Sequence, residues 1–161
     1  MVEPYLKNLP LIPAHLHLSL VSGSPAGLFI RPVDVRMKLM THNFLCSKFL
    51  KGVERGYPLL ITASKIEQQE TAFNEVFMKR MIPKINYPAL LQAAQGIGQA
   101  NDLPLEIPSN WEQDEPLLKK LHHLLVGVEI VEGEMKCPET GRVFPIHEGI
   151  PNMLVNADEV D

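Results

Sequence analysis

Between Asp114 and Lys136 the spacing of apolar residues changes period, and that change constrains the fold more than any other stretch. Leu117, Leu121, Leu124, Leu125 and Val128 recur at helical spacing and mark one buried stripe. Asp114 is placed to cap that helix, and Pro116 suits its first turn, where a missing amide costs nothing. After Gly127 the period becomes two: Val128 and Ile130 alternate with Glu129, and Val131 with Glu132, which is a strand signature. A helix running directly into a strand predicts an α+β fold.

The flanking segments extend the pattern. Tyr57 to Ile66 is β-branched and apolar after Gly56, and reads as a strand. Asn74 is a plausible N-cap for a helix carrying Val76, Phe77 and Met81 on one face, with Pro83 as its stop. A second helix follows Pro88, with Leu90, Leu91, Ala94 and Ile97 spaced for burial before Gly96 and Gly98 weaken it. Residues 99–113, with Pro104, Pro108 and Trp111, read as a loop. Two short strands, Arg142 to Ile146 and Ile150 to Val155, close the chain. The order of strand, three helices and three strands predicts a small sheet built from both chain ends, with a helical insertion between them.

Composition divides the chain near Met37. Residues 1–36 hold five of the fourteen prolines and show no sustained period, so they predict a loosely ordered extension. The formal charge is +1 for residues 1–36 and −5 for residues 37–161, within a whole of −4. Such acidity disfavours a protein that grips nucleic acid by itself, because phosphate neutralisation needs a basic surface. Pro10, Pro13, His15, His17 and Pro25 interrupt the apolar N-terminal stretch, and Glu3 sits where a secretory signal would be positive, so a signal peptide is not expected. Two cysteines, Cys46 and Cys137, make no disulfide framework and suit a reducing compartment, the cytoplasm or nucleus.

The stretch most specific for chemistry is Cys137-Pro138-Glu139-Thr140-Gly141-Arg142. Between two strands, Cys-Pro-x-x-Gly makes a metal knuckle: the turn aims amides at a thiolate, and Gly141 supplies a positive φ. A working knuckle needs a second cysteine where Thr140 stands, and threonine does not ligate zinc. Cys46, Cys137 and scattered histidines (His42, His122, His123, His147) fall short of a four-ligand site, so no metal is expected. His122 and His123 are adjacent in the leucine-striped helix and cannot share one ligand face; one should be half-buried and the other solvated. Lys79, Arg80, Lys84, Lys119 and Lys120 read as solvated helix faces. No Gly-rich phosphate loop, nucleophile elbow or cofactor fingerprint is present, so catalysis has no evident home. In the run from Glu148 to Val155, Pro151 lacks a donor and fits an edge strand, whose apolar residues need covering by this chain or by a partner.

Met37-Lys38-Leu39-Met40-Thr41-His42-Asn43-Phe44-Leu45, Arg80-Met81-Ile82-Pro83-Lys84, Leu121-His122-His123-Leu124-Leu125, Glu132-Gly133-Glu134-Met135-Lys136-Cys137-Pro138 and Gly149-Ile150-Pro151-Asn152-Met153-Leu154 together resemble the multifunctional methyltransferase activator subunit family, across residues 37–161. The resemblance implies a zinc-ribbon-like lobe from residues 37–68 and 127–161, with a three-helix lobe, residues 69–126, inserted in it. It implies a non-catalytic subunit that binds tRNA, rRNA and release-factor methyltransferases by strand addition and apolar contact, with S-adenosylmethionine held by the partner and RNA met only indirectly. Asn43, Phe44, Leu45, Ile150, Pro151, Asn152, Met153 and Leu154 are the expected partner-binding residues. Some members carry four zinc cysteines; Cys137 matches one such position, Thr140 replaces its neighbour, and Cys46 falls about where another ligand would be. The competing expectation is a stand-alone zinc-ribbon-like RNA-binding module, which the missing ligands and the acidity disfavour.

Overall fold

A computed structural model describes residues 36–160. The extension expected over residues 1–36 lies outside the described residues except for Arg36, which is engaged with the folded part: its Nη1 lies 2.8 Å from Glu67 Oε2 and 3.5 Å from Glu129 Oε2.

Strands and helices run in the order β1 (Met37–Lys38), α1 (Leu39–Phe44), β2 (Leu60–Gln68), α2 (Glu75–Met81), α3 (Tyr87–Gly96), α4 (Glu115–His122), β3 (Val128–Lys136), β4 (Val143–His147) and β5 (Ile150–Pro151). The three expected insertion helices are present, and the two caps the sequence placed, Asn74 and Asp114, are the ones observed. Asn74 Oδ1 accepts from the Phe77 amide and Asp114 Oδ1 from the Leu117 amide. At the start of α3, Asn86 Oδ1 accepts from the Ala89 amide. Each such cap satisfies one of the four amides a helix start leaves unpaired, an effect of about 1 kcal/mol.

Several features depart from the sequence reading. α1 was not expected; six residues are too few to display a helical period. Val76 is 62% exposed, and Met78 is the residue of α2 that enters the core. Only Ile150 and Pro151 of the last expected strand are paired in the sheet.

β3 organises the antiparallel sheet. β2 pairs with it along its full length, from Leu60 opposite Lys136 to Gln68 opposite Val128, with a bulge between Ala63 and Lys65. On the other edge, β1 pairs with Glu129 and Ile130 while β4 pairs with residues 133–136. β5 adds only to β4, which leaves it at the end of the sheet. The sheet thus joins strands from before and after the helical insertion, with the predicted strand, now β2, on one edge of β3 and the unpredicted β1 beside β4 on the other.

A single apolar cluster unites helices and sheet. Leu121 and Leu125 from the leucine stripe, Leu118 beside it on α4, Leu90 of α3, Met78 of α2, and Met37, Ile130, Met135 and Phe144 of the sheet are all fully buried in it. At roughly 1.5–3 kcal/mol per buried side chain this shared core is what holds the insertion to the sheet. The stripe runs on from α4 through a π-type turn, His123–Gly127, before β3 begins. β3 does not keep the expected alternation: Val128, Glu129, Ile130 and Val131 are all buried. Glu129 is 2% exposed, and its carboxylate is balanced by Arg36 and by Lys38, whose Nζ lies 3.5 Å from Oε1. Of the two histidines, His122 is buried edge-on against Phe73, at 5.5 Å between ring centroids, and His123 is exposed. Among the described residues no helix is long and apolar enough to cross a membrane.

Candidate partner-binding surface

The β4–β5 hairpin turns through Glu148 and Gly149, with φ of 50° and 79°. Two successive positive φ values match the tight hairpin turn whose twist suits the flanking strands. Glycine adopts that conformation freely, whereas for Glu148 it costs energy. The carboxylate of Glu132 on β3 braces the turn: Oε1 accepts from the Glu148 amide at 3.0 Å, and Oε2 lies 2.9 Å from His147 Nδ1. The Glu148 amide and the His147 ring hold the Glu132 carboxyl below its usual range, and Glu132 in turn raises the His147 pKa above 6.5.

Beyond this braced turn the chain displays apolar side chains. Ile150 is 65% exposed and Leu154 is 83% exposed, on an edge that among the described residues carries no further strand. Pro151 is half-buried, and Met153 is half-buried against the core. Asn152 is exposed and shapes its own segment: its backbone amide donates to the Pro145 carbonyl, and its Oδ1 accepts from the Leu154 amide at 3.0 Å. Asn152 therefore shapes the segment that displays Leu154.

At the end of α1, Phe44 is 55% exposed and Leu45 is half-buried. Asn43 differs from them. It is buried, and both ends of its side-chain amide bond to the backbone of Asn86, while the Tyr57 hydroxyl donates to its carbonyl. Asn43 holds the helix end from behind and has no free group to offer a partner.

The knuckle has the predicted turn. Gly141 takes φ 75°, its amide donates to the Cys137 carbonyl, and the Thr140 amide points at Cys137 Sγ from 3.4 Å. Burial pushes the Cys137 thiol up, but hydrogen bonding with the Ser47 and Thr140 side chains and the Thr140 and Glu139 amides outweighs it and leaves the pKa below its ordinary value. The expected partner from the first loop is corrected here: Cys46 is exposed, and the buried Ser47 faces Cys137 instead. One hydroxyl cannot ligate zinc in place of a thiolate. Among the described residues no group of three histidine, cysteine, aspartate or glutamate side chains is placed to hold a metal ion. The donor set does not fit one.

Sequence reasoning gave no role to Glu132, Glu139 or Ser47, because each acts on a segment far along the chain: Glu132 and Glu139 stand inside quoted motifs, but nothing in those motifs points to the amides they bind. Of the basic residues on the helices, Lys79 pairs with Glu75 and Lys119 with Glu115, each one helical turn away, and Lys119 Nζ also lies 5.7 Å from the centre of the Phe73 ring.

Among known proteins, the family described as Trm112p-like protein matches residues 38–149. The mouse "Multifunctional methyltransferase subunit TRM112-like protein" is 46% identical over 126 residues, 78% of this chain and 99% of the relative. The Arabidopsis thaliana "Multifunctional methyltransferase subunit TRM112 homolog A" is 47% identical over 126 residues, 77% of this chain and 100% of the relative. A chain of the solved E. cuniculi Mtq2-Trm112 complex aligns with a TM-score of 0.42 at 19% identity, covering 73% of this chain and 95% of that one.

Proposed function

Because this chain belongs to the Trm112p-like family, we propose that it is a non-catalytic subunit that binds and stabilises S-adenosylmethionine-dependent methyltransferases acting on tRNA, rRNA and a translation release factor. What carries the reading is the pair of exposed apolar side chains Ile150 and Leu154, at and just beyond the open end of the sheet, in a chain whose relatives are named methyltransferase subunits. A partner strand laid along β5 would satisfy the free backbone groups of that edge. Covering Ile150, Leu154 and Phe44 would supply burial at about 25 cal/mol per Å² of apolar area. The methyltransferase would hold the cofactor and meet the RNA, in keeping with the net charge of −4 on this chain.

In this reading residues 37–68 and 127–161 form a zinc-ribbon-like lobe whose metal has been lost, residues 69–126 form the inserted helical lobe, and the protein works in cytoplasm and nucleus. Co-expression with candidate tRNA, rRNA and release-factor methyltransferases tests it. At least one should co-purify as a soluble one-to-one complex that Ile150→Asp disrupts while leaving the melting temperature of the subunit alone unchanged. Failure of every candidate to co-purify would sink the reading.

A further inference from the structure

Two loops, residues 46–56 and residues 137–142, meet beside Phe144. In a four-thiolate knuckle a metal ion ties such a pair together, each loop supplying ligands. Here the facing groups are one thiol and two hydroxyls, from Cys137, Ser47 and Thr140, and they do not fit that ion.

Another group already spans the gap. The Glu139 carboxylate accepts from three consecutive amides of the first loop: Oε2 from Glu54 at 2.9 Å, and Oε1 from Arg55 at 2.9 Å and from Gly56 at 2.6 Å. Successive amides turned toward one point form a concave anion site, and an ionised acceptor gives the stronger class of hydrogen bond. The loop is shaped to present them. Ser47 closes it by donating its amide to the Gly56 carbonyl at 2.9 Å, and Gly56 takes φ 59°. A Cβ at Gly56 would lie 2.6 Å from Ser47 Oγ and 2.7 Å from the Ser47 carbonyl carbon, so only glycine permits this closure.

We propose that Glu139 does the cross-linking a metal ion does in a thiolate knuckle, its carboxylate seated on the amides of residues 54–56 so that the lobe keeps its shape without metal. Glu139 is solvent-exposed, so water competes for its bonds and the clamp orders a loop rather than holding the whole fold. The clamped loop comes directly after Phe44 and Leu45 in the chain. The inference stands whether or not the chain binds a methyltransferase.

The test uses the full chain alone. Elemental analysis should find no stoichiometric zinc, and melting should be the same with and without EDTA. Amide hydrogen exchange should show residues 54–56 protected in the wild type. Glu139→Gln, which loses the charge and turns a donor toward the nest, should speed their exchange by roughly tenfold or more while β3 amides stay protected. Glu54→Gln, a neighbouring carboxylate whose side chain takes no part, should leave exchange unchanged. Glu139→Asp is one methylene too short to reach all three amides and gives the same reading if the Gln variant does not fold. Stoichiometric zinc, a chelator-sensitive melting temperature, unprotected amides at 54–56 in the wild type, or exchange indifferent to Glu139 would each overturn the proposal.

Discussion

Asn43 and Asn86 exchange two hydrogen bonds: Asn43 Nδ2 donates to the Asn86 carbonyl at 2.8 Å, and the Asn86 amide donates to Asn43 Oδ1 at 2.9 Å. Asn86 is also the cap of α3, so one reciprocal pair ties the end of α1 to the start of the inserted helices. Replacing Asn43 by alanine leaves the Asn86 amide without its partner and takes one of two donors from the Asn86 carbonyl, which keeps the Leu90 amide. At about 1–3 kcal/mol for a buried polar group left unsatisfied, Asn43→Ala should cost roughly 1–3 kcal/mol. Thermal denaturation should show a melting temperature lower by on the order of 10 °C. A change under 2 °C would mean that water replaces the pair.

Glu129 supports a second prediction, about non-additivity. Arg36 Nη1 and Lys38 Nζ each lie 3.5 Å from its carboxylate, which is only 3% exposed, and Gln69 Nε2 donates to it at 3.2 Å. Removing one cation leaves the other in place, so Arg36→Met and Lys38→Met should each cost about 1–2 kcal/mol. Removing both strands a buried charge, and the double variant should cost more than the sum, by roughly 1 kcal/mol or more. Denaturant titration of the four proteins measures the coupling; strict additivity would show that the two cations do not act on Glu129 together.

The same cluster shows where a sequence stops being legible. The leucine stripe of α4 could be read because each residue that shares the face lies three or four positions from the next. Its caps could be read because Asp114 and Asn74 act on amides three residues away. Glu129 looked like the solvated member of an alternating strand because its cations sit 93 and 91 positions upstream in the chain and come alongside only when β1 pairs with β3. Ser47 and Glu139 were hidden for the same reason, which is why Cys46, a better ligand by type, drew attention that its exposed position does not support. The exposure of Ile150 was legible as an edge-strand pattern, whereas the burial of Asn43 three residues before Cys46 was not, since nothing local distinguishes an asparagine that caps another segment from one that faces water.

His42 should make stability fall in mild acid. Its Nε2 sits 2.8 Å from the Leu59 carbonyl, which can only accept, so Nε2 carries the proton and the buried Nδ1 is left without a hydrogen-bond partner among the described residues. Burial lowers the pKa below 6.5, and the bond to Leu59 opposes it only in part. The unfolded chain therefore takes up a proton below about pH 6.5 that the folded protein refuses. The stability associated with His42 is full above that pH and is lost as pH falls through it. Gln can keep the donor to Leu59 and cannot protonate, so His42→Gln should flatten the melting temperature between pH 7 and pH 5. An unchanged slope would exclude His42 as its source.

His147 works in the opposite direction and is weaker. Its partner Glu132 raises its pKa above 6.5, so the stability it contributes is present below that pH and is lost as pH rises through the folded value. Glu132, held below 4.5, contributes above that pH and loses its effect as pH falls through its own lowered value. The brace on the β4–β5 turn is thus strongest between about pH 4.5 and 6.5, when both groups are charged. Because His147 is solvent-exposed, screening leaves it a weak opponent of the buried His42, in whose direction His122, also lowered by burial, acts as well. The local effect remains visible by NMR: the His147 imidazole should titrate above 6.5 in the wild type and return toward it in Glu132→Gln. In that variant the amides of Glu148 and Gly149 should exchange faster, because the Glu148 backbone at φ 50° has lost its best acceptor. A His147 titration that ignores Glu132 would show that the turn is held by its backbone alone.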